Sequence, residues 1–378
     1  MQMLRWMLVG MLCCLLETVS QGASPPPPPV SGPGSTGDTT QEVIKRTLGD
    51  HGAVVYAFYA ENREGPKPVV VFLHPWGANE PYYYGGWFSQ LARKGFVVLF
   101  PKYQEVNVTL STQAGLRVVD LLETALKELR NDPHAQIDHA RVAYVGHLAG
   151  AAVAMNLAAD ASNPLPPQLI FALMPGGIAQ NERDGGIPLA DLSDIPGNVN
   201  IAALTADKAS TVTDKVARRL LNETTQVPLE RKLYIKVFSD AHGFPTLSAS
   251  PASPGCADDY YSADELDPPR GGVQPIEDVM VPNSGRNKKR PAPQRKAPPH
   301  RLALVSGEQK TVVRQIGNNK ADTLDYYVYW KSLEMMANIA FAGGDISILQ
   351  KDPQFIGVGV WSDGFPVKRL WVELPKPE

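Results

Sequence analysis

The segment Gly146-His147-Leu148-Ala149-Gly150 has the glycine spacing of a nucleophile elbow, a strained strand-to-helix turn that presents a serine hydroxyl to a carbonyl carbon. Here the apex is Leu148, which has no atom able to attack. The other parts of acyl-transfer chemistry can be sought one by one. Backbone N–H donors for a developing oxyanion are expected from Ala149, directly after the apex, and from Trp76 in the loop Leu73-His74-Pro75-Trp76-Gly77-Ala78. A base is expected beyond the last parallel strand, where Ser239-Asp240-Ala241-His242-Gly243 supplies His242. An acid to orient it is expected one strand earlier, where Thr205-Ala206-Asp207-Lys208 supplies Asp207. His147 is a second imidazole beside the apex, but one residue off it the ring should point away from the pocket.

These residues need a scaffold, and the apolar pattern describes one. Pro68 to Leu73, Phe96 to Phe100, Arg141 to Val145, Leu169 to Leu173, Val199 to Leu204 and Lys232 to Phe238 are apolar runs of strand length. Runs apolar on both faces suit the middle of a helix-covered parallel sheet. Ala53 to Tyr59 alternates like an early antiparallel strand. Helices are expected at Tyr83 to Lys94, Leu116 to Leu129, Ala151 to Ala159 and Leu324 to Ala342. In the second of these Leu116, Val119, Leu122, Ala125, Leu126 and Leu129 are spaced for one buried face. Alternating strands and helices imply an α/β fold with a doubly wound, mostly parallel sheet flanked by helices.

The chain has 378 residues, 43% of them hydrophobic, and a formal net charge of -3. That balance gives no global attraction to nucleic acid or acidic membranes. Residues 1–23 read as a signal peptide, with Arg5 ahead of an apolar run from Trp6 to Leu16 and a small-residue stretch from Ser20 to Ser24. The apolar run is too short for a stable membrane span, so the mature protein is expected to be secreted or periplasmic rather than anchored. Cys13 and Cys14 would leave with the signal, and Cys256 alone cannot form an internal disulfide. Residues 24–40 read as a Pro-rich linker, extended and solvated. The folded domain is expected over 41–374, interrupted at about 250–320 by a disordered low-complexity insertion ahead of the C-terminal helix. No His, Cys or carboxylate cluster has ligand spacing, so neither a metal nor a cofactor is expected.

Taken together, Phe72 to Ala78, Phe100-Pro101-Lys102-Tyr103-Gln104, Gly146 to Gly150, Leu189 to Pro196, Ser239 to Gly243 and Trp361-Ser362-Asp363-Gly364-Phe365-Pro366-Val367 resemble the bacterial α/β-hydrolases related to dienelactone hydrolase, chlorophyllase and polyester-degrading esterases. The resemblance implies an α/β-hydrolase fold and a serine esterase ancestry. It also marks the departures. Leu148 stands where the family has serine, and Pro75 stands where the oxyanion loop has glycine. Asp207 falls two positions ahead of the expected acid, and His242 alone matches cleanly.

Loss of a serine nucleophile costs on the order of 10^6 in turnover. The first expectation is therefore a non-catalytic hydrolase-fold protein that binds a small apolar or ester-like ligand, or a partner. The alternative is a carboxylic ester hydrolase in which His242 acts as general base on water. Tyr82, Tyr83, Tyr84 and Trp87 are candidates to line an apolar pocket beside the oxyanion loop. The basic residues within 286–301 allow polyanion binding, with a solvated linker as the other reading. The insertion leaves the fold just after His242 and could drape over the pocket as a lid.

Overall fold

The computed structural model describes residues 22–50, 52–61, 65–105, 108–179, 186–263 and 307–375. Its strands, in chain order, are β1 (Val43–Asp50), β2 (Ala53–Ala60), β3 (Lys67–Leu73), β4 (Val97–Pro101), β5 (Ile137–His147), β6 (Leu169–Leu173), β7 (Asn200–Ala206), β8 (Lys232–Val237) and β9 (Trp371–Glu373). They form one nine-stranded sheet in the order β1-β2-β4-β3-β5-β6-β7-β8-β9. Pairing is parallel from β4 across to β8 and antiparallel at β1–β2, β2–β4 and β8–β9. This order, with an antiparallel second strand and a crossover between the third and fourth, is the arrangement of the α/β-hydrolase fold.

Strand residues point alternately to two buried faces, which is why the central runs are apolar throughout. Phe72, Val98, Val145, Phe171, Leu204 and Ile235 meet helices α1 (Gly85–Arg93) and α6 (Lys331–Phe341). Val71, Leu99, Tyr144, Ile170, Ala203 and Tyr234 meet α2 (Ala114–Leu129), α3 (Ala149–Ala159) and α4 (Thr211–Glu223). A π-helical turn, Asp325–Trp330, leads directly into α6. In α2 the buried stripe runs through Ala114, Val118, Leu122, Ala125 and Leu129, while Leu116 is 63% exposed. Leu116 lies about 200° around the helix from both Ala114 and Val118, so its place on the buried face is corrected.

Residues 24–40 are only partly solvated: Val30 is fully exposed, but other positions pack on the domain. Pro26, Gly34 and Ser35 are buried. The Pro26 and Pro27 carbonyls accept from Thr323 Oγ1 at 2.9 Å and Tyr327 Oη at 3.0 Å. The segment is a strap on the C-terminal helix rather than a free linker.

The insertion is also narrower than its composition suggests. Leu247, Ala249, Ala252, Cys256, Ala257 and Tyr261 are buried, and α5 (Gly307–Asn318) precedes the C-terminal helix. The loop's polar backbone is paired with side chains and main chain from afar: Pro254 O with Trp87 Nε1 at 2.9 Å, Cys256 N–H with Tyr83 O at 3.0 Å, and Ala252 O with Asn319 Nδ2 at 2.7 Å. The basic residues of 286–301 and residues 1–21 of the 1–23 signal segment lie outside the described residues. No described helix is long and apolar enough to cross a membrane.

Candidate functional site

Leu148 sits between β5 and α3 at φ 51° and ψ -115°. A left-handed φ costs a residue with a Cβ roughly 1–2 kcal/mol, so the turn keeps a nucleophile elbow's strain with no nucleophile on it. The surroundings hold it there. Leu148 N–H donates to Leu173 O at 2.9 Å, and its carbonyl accepts from Ala151 N–H at 3.1 Å and Gly176 N–H at 3.3 Å. The half-buried Leu148 side chain packs on the core shared by α1 and α6.

In the loop expected to supply an oxyanion donor, His74 is fully buried and stacks on Tyr103 with centroids 4.2 Å apart. Its Nδ1 donates to Pro75 O at 2.9 Å, which leaves Nε2 as the bare nitrogen, buried without a partner among the described residues. Burial lowers the His74 pKa to about 4. Gly77, at φ 91°, donates its N–H to Gln104 Oε1 at 2.6 Å. The loop is thus tied to the strand end beyond β4. Trp76 and Ala149 are each 6% exposed, and among the described residues neither backbone N–H has a hydrogen-bond partner.

His147 points away from the apex. Its Nε2 meets the Pro251 carbonyl at 2.8 Å and its Nδ1 meets Tyr84 Oη at 2.7 Å. Because a carbonyl only accepts, Nε2 carries the proton and Tyr84 donates to Nδ1. Burial lowers this pKa too, to about 4. The ring is a core hydrogen-bonding group.

Asp207 does not orient His242. Its carboxylate takes Ser239 N–H at 3.0 Å and Ser239 Oγ at 2.8 Å, so the expected acid position is corrected. His242 Nε2 instead meets Asp363 Oδ2 at 2.7 Å. The ring stacks on Phe365 at 4.4 Å and lies 5.6 Å from Trp361. The His242 hydrogen bond, followed by Phe365 N–H, lowers the Asp363 pKa. Asp240, 4% exposed, fixes the loop by accepting from His242 N–H and Lys368 N–H, each at 3.0 Å. Asp363 was legible only as a turn residue; its place in the Trp361 to Val367 resemblance was the available signal. The described contacts of the His242 ring are to this C-terminal turn, and none is to Leu148.

A cavity of about 400 Å³ opens beside the loop that carries Trp76, lined by Gly77, Tyr82 and Tyr83 and by Lys310, Val313, Arg314, Gly317 and Asn318 of α5. Leu148 and His242 do not line it. Of the four aromatics expected there, Tyr82 and Tyr83 do, whereas Tyr84, directly before α1, and Trp87, on α1, are fully buried in the core. Among the described residues no group of three or more His, Cys, Asp or Glu is placed to hold a metal ion.

No family model and no curated protein sequence matches the chain. Similar solved structures include an α/β hydrolase enzyme from a Medee basin deep-sea metagenome library, at 15% identity over 54% of this chain and 84% of that one, TM-score 0.42. They also include one of two fungal esterases from Rhizomucor miehei, at 14% identity over 54% and 75%, TM-score 0.41. A third, described as a dienelactone hydrolase from Klebsiella pneumoniae subsp. pneumoniae, is 15% identical over 52% and 85%, TM-score 0.39. The chain's own strand order and elbow make it an α/β-hydrolase-fold protein.

Proposed function

We propose that this is an exported α/β-hydrolase-fold protein that has lost serine-esterase chemistry and acts by binding. The observation that carries the reading is Leu148 at the apex, held at φ 51° by the same glycine-spaced turn that would otherwise present a hydroxyl. Supporting it, Asp207 is committed to Ser239 and His242 to Asp363. Wild-type protein is expected to leave p-nitrophenyl acetate and butyrate at their uncatalysed rates. Leu148→Ser is expected to stay within about tenfold of wild type without a burst, because removing the base or the nucleophile alone already costs about as much as removing the whole triad. A burst and rapid turnover in that variant would mean that only the hydroxyl is missing.

One observation favours a second reading. The His242–Asp363 pair at 2.7 Å has the form of a base with its orienting acid, able in principle to activate water. That reading requires wild-type ester turnover that disappears in both His242→Ala and Asp363→Asn.

A further inference from the structure

We propose that the cavity between the Tyr82–Tyr83 pair and α5 binds a phosphomonoester carried on a planar ring, of which a nucleoside monophosphate is the simplest test case. This names the ligand class for the binding role proposed above and rests on it. One wall is aromatic. The Tyr82 and Tyr83 rings stack at 4.1 Å with a 30° interplanar angle. Their carbonyls accept from Asp258 N–H at 2.9 Å and Cys256 N–H at 3.0 Å, so the pair is fixed from behind. A preorganised aromatic face suits base stacking, which tolerates any planar ring.

The facing wall is cationic. Lys310 and Arg314 stand four residues apart on α5 and both line the cavity. Like charges at this spacing share a helix face and repel. Neither has an ion pair among the described residues, and no carboxylate lines the cavity. Two neighbouring cations without a counter-charge among the described residues match a dianion better than a single carboxylate, and arginine's planar fork suits phosphate oxygens. Gly317 lets the two walls meet: a Cβ there would lie 3.0 Å from Tyr83 Cε1 and 3.2 Å from Tyr82 Oη. The volume of about 400 Å³ lies within the ordinary range for a small-ligand site.

The test is calorimetric titration of the full chain with AMP, adenosine and inorganic phosphate. AMP is expected to bind at least about tenfold more tightly than adenosine or phosphate, and Lys310→Gln and Arg314→Gln each to weaken AMP by about tenfold with an unchanged melting temperature. Tyr83→Ala is expected to weaken AMP and leave phosphate unaffected. Affinity should also decline as pH falls through about 6, where the phosphate loses its second charge. No heat with millimolar AMP, phosphate binding as tight as AMP, or indifference to both α5 substitutions would each overturn the site. Ester turnover by the wild type would sink the functional reading instead, and AMP binding that survives in that protein would leave the site standing.

Discussion

Gly150→Ala is expected to cost more than about 4 kcal/mol, lowering the melting temperature by roughly 10 °C or abolishing soluble expression. A Cβ at Gly150 would stand 2.6 Å from Leu73 C and 2.9 Å from His74 O, and closer still to Leu73 O. These are backbone atoms at the end of β3, where Leu73 pairs with Gly146 in the sheet, so they cannot retreat without breaking the central ladder. Gly146 faces the same crowding from the other side, its Cβ position being 2.6 Å from Ala151 Cα. Gly115 in α2 is the control, since a Cβ there meets nothing within 4 Å. Gly115→Ala should change stability by no more than about 1 kcal/mol, in the stabilising direction. Urea denaturation of the two variants beside wild type checks both. The glycines of the elbow therefore have a reason to stay that does not involve catalysis: they let α3 dock against β3.

Stability should fall as pH is lowered from 6.5 towards 4, because both buried imidazoles have pKa values lowered by burial from 6.5 to about 4. Within that window the unfolded chain binds protons that folded His74 and His147 refuse, so stability rises with pH there and is fully present above the unfolded value. Each contributes roughly 3 kcal/mol. Asp325 and Glu334 oppose the trend, since burial raises their pKa values and favours the folded state at lower pH. The decisive readout is consequently the difference between wild type and His147→Gln. Between pH 6.5 and 4.5 the substitution is expected to reduce the slope of unfolding free energy by close to one proton. Equal slopes would mean that His147 is protonated in the folded state.

The parallel strands and the elbow were legible because two-sided apolar runs and glycine spacing are local signals. β1 was not, because Val43-Ile44-Lys45-Arg46-Thr47 mixes charge into an edge strand that is buried only at Val43 and Leu48. Composition misled at the Pro- and Ser-rich loop from Leu247 to Tyr261. Its order comes from partners such as Trp87, Tyr83, His147 and Asn319, which no window of sequence brings together. The His242–Asp363 contact spans 121 residues and fails for the same reason. Spacing after β7 pointed to Asp207, but the short distance to Ser239 captured that carboxylate first.

Intact-mass spectrometry of the wild-type full chain after prolonged exposure to excess fluorophosphonate asks directly whether any attacking group survives. An unchanged mass is expected, since a hydrocarbon side chain occupies the apex. A stoichiometric adduct mapped to a side chain at the elbow, in the loop from His74 to Ala78, or at His242 would contradict it.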